Sequence, residues 1–296
     1  MTTQLFLRLA GVALLAVPAW AMAHGFAGKR FFPATPATDD PFVADELSLP
    51  TVSQRRLAAS DEGPASRLTS TSVDYTKRIT SDFGVGFGVN YLRFAHEDGT
   101  ARNGFDNLSA SAKYQFHEND AHESVASLGL DMDLGGTGAR SVGAESFSTL
   151  TPSLFYGKGF GDLPDSARYL RPLAVTAGAG VAFPGGQHAD VLKLGFAVEY
   201  SVPYLQSFVK DVGLPAPFSR MIPLVELDLQ KPIDRGASGF TGTVNPGIIW
   251  AGRTMQLAVE AIVPVNGRTG GGRGVLFQVH FFMDDLFPRT LGKPLF

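Results

Sequence analysis

The run Phe83-Gly-Val-Gly-Phe-Gly-Val-Asn-Tyr91 limits the fold more than any other stretch of this chain. Successive side chains of a strand point to opposite faces. Phe83, Val85, Phe87, Val89 and Tyr91 therefore share one face, and Gly84, Gly86, Gly88 and Asn90 the other. A soluble sheet covering a core on one side alternates in the same way. Repetition of the pattern in segments of about ten residues is the signature of a transmembrane β-barrel.

Residues 1–23 read as a signal peptide. Arg8 gives the positive flank, Leu9 to Trp20 a short apolar region, and Ala21-Met-Ala23 a small-x-small cleavage pattern. The apolar stretch falls short of the roughly 20 residues of a spanning helix. The mature chain is expected to begin at His24. Every later apolar run is broken by Gly, Pro or a charge, so a membrane-spanning fold must be a closed barrel. With 44% hydrophobic and 18% charged residues, disorder is not expected. A net charge of -3 and the lack of a recognition motif set nucleic-acid binding aside. The absence of cysteine suits an exported protein that does not depend on disulfides.

Period-two segments follow at regular intervals: 46–56, 67–79, 83–95, 107–116, 127–134, 146–160, 170–183, 192–200, 225–230, 240–250, 254–263 and 275–283. These make about twelve antiparallel strands, an even number that brings both barrel ends to one side. The first is weak, because Pro50 is tolerated only near a strand end or at a bulge. The turns Thr80–Asp82 and Ala251–Arg253 are assigned to the periplasmic side, while the loops at 96–105, 135–146, 185–190 and 266–274 fall outside. The long stretch Pro203–Arg220 is then periplasmic, against the usual loop lengths. Tyr114, Phe116, Tyr156, Tyr169, Tyr200, Trp250 and Phe281 gather at one set of strand ends, and Tyr91, Phe94, Phe183 and Phe240 at the other. Two aromatic girdles fit a lipid-facing barrel. A soluble sandwich or lipocalin-like barrel is the alternative, though twelve strands exceed what a small soluble barrel needs. The expected organisation is signal peptide 1–23, periplasmic arm 24–45, barrel 46–283 and tail 284–296.

The polar parity faces the lumen of such a barrel. It carries Asp74, Asp131, Asp133, Glu199, Glu226, Asp228 and Glu260 against Arg78, Lys113 and Lys193, with His280 on the last strand. An excess of acid attracts cations in a wet pore. Alternatively the charges pair with one another across a narrow interior. Glycines at 84, 86, 88, 129, 178, 180 and 195 either widen a passage or ease strand curvature.

Other motifs point away from chemistry. Gly267 to Gly274 lacks the Lys-Ser/Thr ending and helix of a phosphate loop and reads as a flexible hairpin loop. His117 and His122 are five apart in a turn, not four apart on a helix, so they are no zinc-protease pair. His24, with its terminal amine, is the one metal candidate, for copper, and an unliganded terminus is the simpler expectation. Ser111 and Ser127 share the inward parity of His280, but no nucleophile motif surrounds them, so no enzyme activity is expected.

Phe31-Phe-Pro-Ala-Thr35 with Asp39 to Pro50, Tyr75-Thr-Lys-Arg-Ile79, and Asp284-Asp-Leu-Phe-Pro288 with Gly292-Lys-Pro-Leu-Phe296 form a recognisable set. The chain resembles proteobacterial outer-membrane barrels related to the transporters named for a phenol-degradation (meta-cleavage) pathway. That resemblance implies a transporter-like barrel with no catalytic residues to carry over. The expectation is a passive channel for small hydrophobic or aromatic compounds or for cations. A non-conducting structural or adhesion barrel and a lipid enzyme are the alternatives. Expected partners are outer-membrane lipid, the barrel assembly machinery and a small solute, with no cofactor. The closing alternation ends at Phe281, so the tail beyond it is expected to fold back at the periplasmic mouth or to engage a partner there.

Overall fold

A computed structural model describes residues 25–59, 65–234 and 239–296. The segment expected as a signal peptide and His24, the metal candidate, lie outside the described residues. No helix among those described is long and apolar enough to cross a membrane. After a short hairpin, β1 (Phe26–Ala27) and β2 (Arg30–Phe31), come β3 (Glu46–Leu57), β4 (Ser66–Arg78), β5 (Phe83–His96), β6 (Ala101–Phe105) and β7 (Leu108–Asn119). β8 (Ser124–Leu134), β9 (Thr149–Gly159), β10 (Leu173–Pro184), β11 (Val191–Tyr200) and β12 (Met221–Pro232) follow, then β13 (Thr241–Ala251), β14 (Met255–Pro264) and β15 (Gly274–Phe282).

From β3 onward neighbouring strands pair antiparallel in chain order, with β5 taking both β6 and β7, and β15 returns to β3 through Phe277↔Val52 and Phe281↔Leu47. The result is a closed barrel of twelve strands, the only sheet architecture that leaves no unpaired edge in lipid. β6 and β7 together complete one wall position: β5 pairs with β7 from Phe83 to Gly88 and with β6 from Tyr91 to Ala95. All twelve expected segments are strands. Pro50 sits where the β3–β4 register shifts between Ser48 and Thr51, the bulge such a proline requires.

The alternation sorts by environment. Phe87 is 64% exposed on the outer face and Val275 58%, whereas inward Ala197 and Glu226 are nearly or wholly buried. Leu128, Leu130, Leu154, Phe196, Val198 and Val259 continue the exposed apolar band. Arginine on the lipid face near mid-depth costs about 2–4 kcal/mol. Phe196→Arg, midway along β11, is therefore expected to lower the urea midpoint of the vesicle-inserted barrel accordingly. An unchanged midpoint would place Phe196 away from lipid.

The turns at 79–82 and 252–254, the connections 120–123, 160–172 and 201–220, the start of the described chain at Gly25 and the C-terminal tail share the near end; the described loops at 97–100, 135–148, 185–190 and 265–273 form the far end. The long stretch Pro203–Arg220 thus belongs with the short turns. The segment expected as a periplasmic arm does not hang outside. From Gly25 to Asp45 it runs among inward-facing side chains: Lys113 Nζ meets Asp39 Oδ1 at 2.9 Å, and Ala37 and Thr38 bond to Glu226. Its lack of periodicity has a physical reason, since a chain surrounded by wall on every side has no single face to hide. At the near end the tail folds back, with Phe296 N donating to Ile79 O at 2.9 Å and Arg78 Nη2 to Gly292 O at 3.3 Å.

Candidate functional site

The inner segment is held at three levels. At the near end Arg30 is fully buried, its guanidinium donating to Pro172 O (2.9 Å), to Arg171 O and to Glu123 Oε2 (3.3 Å). The same group lies 3.9 Å from the centre of the Tyr204 ring, a cation–π contact. Tyr204 donates its hydroxyl to Glu123 Oε1 at 2.8 Å, and burial followed by this carboxylate pushes its phenol up to about 12, so it stays a neutral donor. Beside this hub Phe32 and Phe42 pack with Val125 and Ala174 of the wall.

At mid-height Glu226 Oε1 accepts from Thr38 N (2.7 Å) and Thr38 Oγ1 (2.6 Å), and Oε2 from Ala37 N (3.1 Å). Bonds to an ionised acceptor are the stronger class. Gln256 donates to Ala34 O at 2.5 Å, and Ser127 Oγ to Pro41 O. At the exit from the lumen Asp45, fully buried, takes Lys77 Nζ at 2.6 Å and Arg78 Nε at 2.8 Å.

Two cavities flank Thr35–Asp40. One of about 380 Å³ is lined by Asp39, Asp131, Asp133, Lys193 and Asp228 together with Phe155. The other, about 320 Å³, is lined by Asp39, Asp40, Asp74, Asp131, Glu46 and His280. Burial, only partly offset by the Lys113 ammonium, pushes the Asp40 carboxyl up to about 7.

The ten residues expected to line the lumen all carry inward parity, yet they divide by role. Asp74, Asp131, Asp133, Lys193, Asp228 and His280 face the cavities. Lys113 and Glu226 instead grip the inner segment, and Glu199 and Glu260 are 3% and 2% exposed. The inner glycines gain a third use: they leave room. A Cβ on Gly195 would stand 3.2 Å from Thr38 Cγ2, and one on Gly84 3.0 Å from Val43 Cγ1. Gly129 and Gly178 would bring a Cβ to 2.6 and 3.0 Å from the Phe155 ring.

Sequence reasoning missed the acids of the inner segment itself, Asp39, Asp40 and Asp45. Phe155 had a signal: it is a large ring at an otherwise small or polar parity, directly opposite Gly178 in the β9–β10 register. Among the described residues no group of three His, Asp or Glu side chains is placed to hold a metal. His122 instead contacts Asp162 at 2.9 Å. Gly267–Thr269 forms a 3₁₀ turn between β14 and β15. His280 does not meet Ser111 or Ser127; its hydrogen-bond partner is Ser48.

No family model and no curated protein matches the chain. Solved structures do. The COG4313 outer membrane channel from Pseudomonas putida F1 superposes with a TM-score of 0.52 at 11% identity, over 85% of this chain and 99% of that one. The KdgM porin gives 0.45 at 14% identity over 78% and 98%. LpxR from Salmonella typhimurium gives 0.43 at 10% identity over 80% and 99%. What the likeness to the COG4313 channel shows is the fold alone, a β-barrel of outer-membrane type.

Proposed function

We propose that this chain is a passive channel of the bacterial outer membrane, narrowed by its own N-terminal segment and preferring small cations over anions. One observation carries the reading: the inner segment enters the lumen, turns back at mid-height and returns to the near end without filling the interior. It leaves about 320 and 380 Å³ on its two sides, bordered by five and four carboxylates respectively among small and hydroxyl-bearing residues. A structural barrel gains nothing from such space, and an acid-lined passage concentrates cations and repels anions. The fold likeness to an outer membrane channel and the motifs resembling the phenol-degradation transporters support the same class.

An apolar pocket at the near end favours a second solute class. Phe26, Phe31, Tyr204, Phe208 and Phe282 line about 430 Å³ beside Lys29. This lining suits hydrophobic or aromatic compounds.

Planar-bilayer recording across a salt gradient tests the reading. The expected result is discrete conductance with a reversal potential on the cation side. Anion selectivity, or silence at high protein concentration, would overturn it, and silence would return the chain to the structural or adhesion class. Block of the current by an uncharged aromatic solute added on the near side would establish the second class.

A further inference from the structure

The seam where β3 and β15 close the barrel carries an arrangement that conduction does not use. His280 and Ser48 are direct cross-strand partners, with Ser48 Oγ 2.9 Å from His280 Nδ1. On the other side of the ring, His280 Nε2 lies 3.6 Å from Glu46 Oε2. The histidine is 3% exposed. Next to this point, at Leu49–Pro50, β3 slips register against both of its neighbours, between Gln278 and His280 and between Ser48 and Thr51. Bulges of this kind re-aim side chains and are frequent beside active sites.

All three residues border the 320 Å³ cavity, as do Thr51 and Gln278. Gln278 Nε2 donates to Thr51 Oγ1 at 3.2 Å, which leaves the Thr51 hydroxyl proton to serve as a donor toward the cavity.

We propose that Ser48, His280 and Glu46 form a hydrolytic site on the lumen wall that acts on small esters of neutral or cationic alcohols. The order hydroxyl, imidazole, carboxylate is that of a nucleophile activated by a base whose other nitrogen is held protonated. Either ring nitrogen serves as the base provided the other keeps its proton. Ser48 passes its proton to His280 Nδ1 as Oγ bonds to the ester carbonyl carbon. Glu46 orients the ring through Nε2–H and stabilises the imidazolium. The Thr51 hydroxyl donates to the developing oxyanion. The bond from carbonyl carbon to alkoxy oxygen then breaks, and the alcohol leaves with the proton from Nδ1. Water, deprotonated by the same nitrogen, attacks the acyl-serine, releases the acid and restores Ser48.

The 3.6 Å separation is long for a hydrogen bond, and catalytic contacts commonly tighten only with substrate bound. Substrate charge follows from the surroundings. Asp40, Asp74 and Asp131 border the same cavity and disfavour anionic esters, phospholipids among them.

The test uses the folded barrel in detergent with a fluorophosphonate probe, p-nitrophenyl acetate and an acetylated amino alcohol. Labelling is expected at Ser48, located by mass spectrometry. Ser48→Ala and His280→Asn are expected to reduce labelling and hydrolysis at least about a hundredfold, as removal of a nucleophile or general base does. Glu46→Gln is expected to lower kcat while leaving KM nearly unchanged, a split that a merely structural carboxylate would not give. Ser70→Ala, whose hydroxyl bonds Asn90 away from this cavity, is expected to react as wild type. Heat-modifiable gel mobility reports folding of each variant, and Ser48→Ala decides the case if His280→Asn does not assemble. Equal rates for wild type and folded Ser48→Ala, or a folded barrel that takes no label at Ser48, would overturn the proposal. Neither result depends on whether the barrel conducts.

Discussion

Asp45→Ala is expected to lower the stability of the barrel by about 3–5 kcal/mol, the cost of removing one partner from a buried ion pair. Asp45 is 0% exposed and meets Lys77 Nζ, Arg78 Nε and Arg78 N within 2.6–2.9 Å. Its carbonyl accepts from Met283 N at 2.9 Å. One residue thus ties the end of the inner segment to β4 and to the start of the tail. Alanine keeps the backbone bond and leaves two cations facing a void at the near end. Urea unfolding of the barrel in vesicles, followed by loss of heat-modifiable mobility, measures the effect. Lys77→Met in the Asp45→Ala background is expected to recover part of the loss, because it removes a charge left without its carboxylate. A loss below about 1 kcal/mol would mean that water replaces the carboxylate cheaply and that the tie is a surface pair.

Alternation in the wall was legible because lipid rewards it: each outward Leu, Phe or Val gains from leaving water and each inward residue does not. Strand count, parity and the sidedness of the turns follow from that one rule. The rule says nothing about a segment that touches wall on all sides. Phe31 to Asp45 contains apolar, proline and acidic residues without a period, and its contacts come from partners far along the chain, 222 positions away for Gln256 to Ala34. Parity assigned ten polar residues to the inner face but could not separate Asp131, which borders a cavity, from Glu226, which grips Thr38. Likewise His280 and Ser48 are neighbours only because strand 12 of the wall closes on strand 1. That pairing is set by closure of the whole barrel and by the bulge at Pro50, neither of which is a local property.

Locking the inner segment to the wall is expected to hold conductance at a constant low level, and unlocking it to raise conductance several-fold. The chain has no cysteine, so a single engineered pair reports cleanly. A Cβ built on Gly195 stands 3.3 Å from Thr38 Cβ, close to the roughly 3.5–4.5 Å of a disulfide. Thr38→Cys with Gly195→Cys is expected to cross-link on oxidation and to give a steady small current; reduction restores the fluctuations of an untethered segment. Glu226→Ala acts in the opposite direction. It deletes the acceptor of Ala37 N, Thr38 N and Thr38 Oγ1, and truncation of an ionised acceptor costs about 1.5–3 kcal/mol per bond before water compensates. A loss of about 3 kcal/mol shifts a two-state balance by roughly two orders of magnitude, enough to convert a mostly seated segment into a mostly displaced one. Larger current steps in Glu226→Ala, abolished when the same variant carries the oxidised cysteine pair, would assign the gain to the segment itself. Equal currents in the oxidised, reduced and Glu226→Ala channels would mean that solutes pass beside a fixed segment, and that its contacts set the width of the passage once, during folding.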